Sequence, residues 1–265
     1  MTAIAVMGHL SRDVVAGSEP RPGGGVFYGT RALASLGADA RISASCAASD
    51  RALLVPPLEA FGLPVTWHES TTTTAYSFHY EGEHRVMWQD AVGQPWAPAQ
   101  AVEAARDAEW VNVCALTRTD FLPETLAALV ADGRRLLVDA QGLVRTPTIG
   151  ALHTDGDIGD VLRHVEILKL NDEEAETLVG SADPERLLAL GVPEILLTLG
   201  SRGSFVIATG LIEHVPALEV AGPVDPTGAG DTFSMAFLTQ RAAGAEPVEA
   251  ARAATASVAA FLASP

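Results

Sequence analysis

Nine residues late in the chain, Asp225-Pro226-Thr227-Gly228-Ala229-Gly230-Asp231-Thr232-Phe233, set two carboxylates around a run of small residues at a loop-to-helix junction. Pro226 fixes a turn, and Phe233 to Arg241 continues with apolar residues at helical spacing and no breaker. The first turn of a helix has N–H groups without intrahelical partners, and its dipole favours negative charge. Gly228, Ala229 and Gly230 therefore read as an anion hole that a phosphate can approach closely. Asp231 would repel that phosphate, so its carboxylate reads as the base for the group that attacks it. A helix cap with glycines for tight packing accounts for the glycines but leaves the two flanking acids unexplained.

Elements that could hold such a site are legible along the chain. With 265 residues, 48% of them hydrophobic, the chain can bury a large core. Ala3 to Met7 predicts a strand buried on both faces, ending at Gly8 and delivering His9, Ser11, Arg12 and Asp13 to the strand's carboxyl end, where doubly wound sheets bind ligands. Gly23-Gly24-Gly25 precedes a predicted helix, Val26 to Leu36, capped by Gly37; alone, the triplet fits a phosphate cradle or a flexible turn. Arg41 to Ala47 predicts a strand, Asp50 to Phe61 a helix interrupted at Pro56-Pro57, and Val65 to His68 a short strand. Thr71 to Tyr80 alternates Tyr76, Phe78 and Tyr80, and Glu81-Gly82-Glu83 turns into His84 to Gln89. This aromatic-faced hairpin cannot bury both faces, so it is expected to be a lid over the substrate or a dimer contact, with an edge hairpin as the plainer alternative.

An α/β alternation then resumes: helix Ala99 to Ala108, strand Trp110 to Ala115, helix Pro123 to Ala131, and strands Arg135 to Ala140, Val165 to Leu170 and Glu194 to Thr198. A last helix spans Pro247 to Leu262. The fold class is α/β, a doubly wound, mainly parallel sheet with a small β-sheet lid. Seventeen Lys and Arg against 33 Asp and Glu give a net charge of −16, which disfavours nucleic acid and anionic membranes as partners. Cys46 and Cys114 sit in apolar strand runs and read as core residues of a reducing compartment. The start lacks a basic segment with a long apolar stretch, and no run approaches the roughly 18 apolar residues of a membrane span, so a cytoplasmic protein is expected. Asp155-Gly156-Asp157 imitates a calcium loop, but Asp160 stands where that loop needs glycine, and the histidines show no zinc spacing.

Through the Asp225 to Phe233 run the chain resembles the ribokinase-like, or PfkB, carbohydrate kinase family, whose signature is Asp-Thr-x-Gly-Ala-Gly-Asp-Thr-Phe; Pro226 is the one departure. The resemblance implies one ribokinase-like domain over 1–265, with a lid contributed by about 9–22 and 64–92. It implies that Asp13 receives substrate hydroxyls and that Gly23 and Gly24 let backbone approach the sugar, while Tyr28 stands where the family has an asparagine. Asn171 and Glu174 match the Asn-x-x-Glu motif that holds Mg²⁺ with phosphate, largely through water; the same tetrad alone is also a helix capping box. Thr198, Gly200 and Gly203 match the turn that wraps the nucleotide, Thr255 the position that contacts the base, and Asp225 a monovalent-cation ligand. The loop that would complete that cation site is missing after Pro265, so weak K⁺ dependence is expected. Arg202 reads equally as a phosphate contact or a solvated residue.

Asp139-Ala140-Gln141-Gly142-Leu143-Val144-Arg145 varies the family's Asp-Pro-Asn-x-Arg run towards inositol-type kinases. The implied activity is ATP-dependent, Mg²⁺-assisted phosphorylation of a sugar or cyclitol hydroxyl, with a small-molecule partner and a homodimer through the lid. The alternatives are a nucleoside kinase, in which Tyr28, Tyr76 or Phe78 stacks a base, and a nucleotide-binding regulator without turnover, for which the repulsive Asp231 has no use.

Overall fold

In the computed structural model, which describes residues 4–15, 17–81 and 84–263, the apolar run near the N-terminus forms β1 (Ile4–His9), buried throughout. There follow β2 (Ser11–Val15), β3 (Arg21–Gly23), α1 (Gly25–Leu36), β4 (Ala40–Ala47), α2 (Arg51–Glu59), β5 (Val65–Ser70), β6 (Thr74–Glu81) and β7 (His84–Ala91). The middle of the chain supplies α3 (Pro98–Ala104), β8 (Trp110–Cys114), α4 (Pro123–Ala131), β9 (Arg135–Asp139), α5 (Ala140–Val144) and β10 (Gly150–Ala151). The remainder gives β11 (Ile167–Asn171), α6 (Asp172–Val179), α7 (Pro184–Leu187), β12 (Glu194–Thr198), β13 (Ser204–Ala208), β14 (Leu211–Val215), α8 (Ala229–Ala242) and α9 (Pro247–Leu262).

Among the described residues, nine strands form one sheet in the order β14-β13-β12-β11-β9-β8-β1-β4-β5. Its pairs are parallel from β12 to β5, and β13 and β14 are added antiparallel. Alternate residues of one strand feed opposite faces: Ile4 and Val6 pack with Val26, Leu33 and Phe237, whereas Ala5 and Met7 pack with Leu126, Leu129 and Leu143. Helices thus cover both sides, as a doubly wound sheet requires. The second sheet, β10-β7-β6-β2-β3, is the lid. It buries Tyr76 and Phe78 inward with Leu116 and leaves Trp88 41% exposed on its outer side.

Three expectations change. Val65–Ser70, expected within the lid segment, pairs in parallel with β4 at the edge of the main sheet, while Gly150–Ala151 joins the lid from elsewhere in the chain. α2 runs on through Pro56 and Pro57: Leu54, Val55 and Leu58 are buried on its inner face, and the Ala60 N–H donates to the Pro56 carbonyl at 3.0 Å, restoring the ladder just beyond the prolines. α3 stops at Ala104 because Ala105 to Asp107 turn tightly, Asp107 with a positive φ of 64°. Ala3, Gly82, Glu83 and Pro265, and the side chain of Tyr80, lie outside the described residues.

Candidate active site

The carboxyl ends of β1, β8, β9 and β11 and the N-terminus of α8 meet beneath the lid. Gly228 caps α8 with φ 85°, and a Cβ there would lie 3.0 Å from the Tyr28 ring, so glycine is needed for both turn and approach. The Ala229 N–H is spent on the Pro226 carbonyl at 2.9 Å. Of the three expected anion-hole residues, Gly228 and Gly230 are the ones that line the cavity below α8. That cavity, about 240 Å³, also holds Asn112, Asp139, Gln141, Lys169, Asn171, Glu174 and Asp231. A second cavity of about 390 Å³ opens under the lid, among Asp13, Arg21, Tyr28, Tyr76, Phe78, Met87 and Arg145. Asp231, Gly228, Gly25 and Gln141 line both. The carboxylate is therefore at the junction between a polar, phosphate-sized space and a half-aromatic one.

Charge in the first cavity is arranged around Lys169. In the parallel pairing of β9 and β11, Lys169 stands opposite Asp139, and its Nζ donates to Asp139 Oδ2 at 2.8 Å. The other oxygen, Asp139 Oδ1, accepts the Gln141 N–H at 3.0 Å, so one carboxylate caps α5 and holds the lysine. Burial alone would lower the Lys169 ammonium, but Asp139, Glu174 and Asp231 together raise it, and it stays charged. Burial pushes Asp231 up to about 7; Asp139 adds to this, while Lys169, the residue's own N–H and Arg145 oppose it. Burial and Asp139 likewise push Glu174 up to about 7, against Lys169, the Asn171 N–H and Arg145. A carboxylate titrating near neutrality at the junction of two cavities is suited to general-base work.

Asn171 and Glu174 form the capping box of α6: Asn171 Oδ1 accepts the Glu174 N–H at 2.8 Å, and Glu174 Oε2 accepts the Asn171 N–H at 2.8 Å. Asp139 pushes both Glu174 and Asp231 upward, a repulsion that a divalent cation would relieve. Among the described residues no group of three or more His, Cys, Asp or Glu is placed to hold a metal directly. Asn171 and Glu174, already bonded to each other, would reach a Mg²⁺ through water rather than directly.

In the second cavity the Asp13 carboxylate lies against the backbone of Gly23. Tyr28, pushed up by burial and by Asp13, stands over the mouth of α8. Asp13, Gly24, Tyr28, Asn171, Glu174, Gly228, Gly230 and Asp231 are thus brought onto the two cavities. Gly23, Thr198, Gly200, Gly203, Thr255, Asp225 and Ala229 line neither. The Thr198 hydroxyl donates to the Leu170 carbonyl at 3.2 Å, the Thr255 hydroxyl to the Ala251 carbonyl at 2.9 Å, and Gly203 packs against the Val215 backbone. Asp225 is exposed and accepts the Thr227 N–H at 2.9 Å. Arg202 pairs with Asp172 at 2.6 Å.

Lys169 carries no role in the sequence reading, and Asp139 and Arg145 enter it only as the ends of the run that varies the family motif. The available signal was a lysine inside the apolar run Ile167 to Leu170, which a buried strand tolerates only with an acidic partner, and Asp139 ends a neighbouring predicted strand. Cys114 also lines the first cavity, but burial pushes its thiol well up, which makes it inert packing.

The model for "pfkB family carbohydrate kinase" matches residues 20–264, and the chain belongs to that family. It is 34% identical over 131 residues to an inositol 3-kinase of Zea mays, a match spanning 44% of this chain and 31% of that protein. It is 30% identical over 90 residues to a ribokinase of Staphylococcus aureus (strain COL), spanning 31% of this chain and 29% of that protein. These matches therefore span about a third of the length of the curated relatives. Over the whole fold it is similar to a solved pyrophosphate-dependent kinase in the ribokinase family, complexed with a pyrophosphate analog and myo-inositol: TM-score 0.84, 25% identity, 99% of this chain and 96% of the other covered.

Proposed function

We propose that the protein transfers the terminal phosphoryl group of ATP to a hydroxyl of a sugar or cyclitol. The observation that carries this reading is Asp231, a carboxylate raised to about 7 at the N-terminus of α8 and shared by the two cavities. The acceptor occupies the space under the lid, oriented by Asp13 and the Gly23–Gly24 backbone, and Asp231 takes the proton of the attacking hydroxyl. The N–H groups of Gly228 and Gly230 and the Lys169 ammonium stabilise charge on the phosphoryl oxygens. Mg²⁺, held through water by Glu174, Asn171 and Asp139, would neutralise the phosphate chain. The lid excludes water, a competing acceptor, behind Tyr76, Phe78 and Met87.

Tyr28 and the aromatic wall favour a cyclitol or larger polyol over ribose, in keeping with the likeness to inositol kinases. The outer lid face, with Trp88 41% and Ile149 59% exposed, is the surface proposed for a homodimer. No described helix is long and apolar enough to cross a membrane. Two buried free cysteines suit a reducing cytoplasm.

Pyrophosphate is a second reading for the donor. It is favoured by the placing of Thr198, Gly200, Gly203 and Thr255 away from both cavities, and by the likeness to a pyrophosphate-dependent kinase. A matrix of ATP and pyrophosphate against inositols, hexoses, ribose and nucleosides, with Mg²⁺, tests both choices. Turnover is expected with ATP and a cyclitol or polyol. Turnover with pyrophosphate alone replaces the donor, a nucleoside preference replaces the acceptor, and tight ATP binding without turnover points to a regulator.

A further inference from the structure

Arg145 is, with Arg21, a cation that lines the cavity under the lid. It lines the space under the lid, its guanidinium lies 5.6 Å from the Tyr76 ring centroid, and it lowers the proton affinity of both Asp231 and Glu174. Arg145 makes no ion pair among the described residues. Its position is set by the Tyr76 side chain on the lid and by the backbone that carries it.

That backbone is clamped from two sides. On the main-sheet side, the Arg118 N–H donates to the Arg145 carbonyl at 3.1 Å, and the Arg118 guanidinium donates to the carbonyls of Val144 at 3.0 Å and Asp155 at 3.1 Å. On the lid side the clamp is Gln89, a fully buried amide in β7 whose Nε2 donates to the carbonyls of Thr146 at 3.0 Å and Thr148 at 2.9 Å. Gln89 lies two residues from Met87 on the same strand, and Met87 lines the cavity. Residues 147–149 are exposed, and the amide adds a side-chain tether to the backbone bonds of Thr146 with His153 and of Gly150–Ala151 and Leu152 with β7.

We propose that Gln89 is a positioning residue that ties the lid to the segment bearing Arg145, so that the seat of the lid sets the guanidinium presented to the acceptor. The inference rests on the reading that the space under the lid binds the acceptor. A lid side chain that bonds the residue next to Arg145 couples acceptor binding to lid position: without the amide, Thr146 and Thr148 are held to β7 only through Gly150–Ala151 and Leu152, and Arg145 is freer to turn away from the cavity.

The test is a double-mutant cycle on the full chain. Gln89→Met keeps length and burial and removes both donors. It is expected to raise the acceptor KM roughly tenfold, with the donor KM unchanged and no further effect in an Arg145→Ala background. Hydrogen exchange of the amides at 145–152 should quicken in Gln89→Met, with or without acceptor. Equal losses in the two backgrounds, or unchanged exchange at 145–152, would overturn the proposal. If Gln89→Met does not fold, Gln89→Asn, which draws the same donors back by one methylene, takes its place in the cycle. Wild-type protein inactive towards every acceptor would overturn the acceptor reading, and the exchange measurement then judges the tether by itself.

Discussion

Lys169 balances the carboxylates of the phosphate cavity, and removing it has two separable effects. Lys169→Met leaves Asp139 without its partner, costing up to about 3 kcal/mol of stability, read by denaturant titration. It also removes a cation that holds Asp231 down, so the carboxylate keeps its proton to higher pH. The acid limb of kcat/KM, expected near pH 7 in the wild type, should therefore move upward in the variant; a limb that stays in place would detach Lys169 from the base. Asp231 carries a linked stability term of opposite sense to an ordinary salt-bridged acid. Its folded value of about 7 exceeds the unfolded carboxylate value, so the folded state binds more protons between about pH 4 and 7 and loses stability as pH rises through that window. Thermal melts without donor should show a Tm for Asp231→Asn that gains on the wild type from pH 5 to 7.5. A gap that does not widen would mean the carboxylate is solvated.

At the scale of elements, α5 is the piece that must be seated for Asp139, Gln141 and Arg145 to act together. Gly142 makes this seat: a Cβ there would lie 2.4 Å from both the Cβ and the carbonyl oxygen of Ala115. Gly142→Ala should cost about 1–3 kcal/mol and lower kcat/KM by shifting the helix off β8, measured by melts and initial rates; a fully active, equally stable protein would show that α5 tolerates displacement. Sequence made the strands and long helices of the main sheet legible because runs such as Ile4 to Met7 are apolar on both faces, and Pro123–Ala131 and Pro247–Leu262 carry proline at N1. It also placed Asp231, Asp13 and the capping box, whose local pattern is distinctive. It did not show that β5 leaves the lid for the main sheet, that Gly150–Ala151 joins the lid, or that Lys169 finds Asp139. Each depends on pairing between segments far apart in the chain, Ile42 with Val65, Gln89 with Gly150 and Asp139 with Lys169, and periodicity within a segment carries no information about that.

Over the whole molecule, the proposed function requires a chain of net charge −16 to bind an anionic donor through a few local groups set against an unfavourable field. The donor KM should accordingly fall as monovalent salt rises from low values, because screening weakens the repulsion before it weakens buried contacts; a KM that rises steadily would indicate a surface of basic residues that this chain lacks. The exposed Trp88 face makes a second claim at this scale: Trp88→Lys should shift the sedimentation of a dimer to that of a monomer, and a monomeric wild type would dispose of the lid interface. The central claim is that Asp231 is the base of a phosphoryl transfer, and the most direct measurement pairs turnover with donor affinity in Asp231→Asn. General-base catalysis is worth about 10²- to 10⁴-fold, so kcat with the best acceptor should fall by at least that lower figure, while donor affinity by calorimetry holds or tightens with the repulsive charge gone. Near-normal turnover in a folded Asp231→Asn protein would contradict the account.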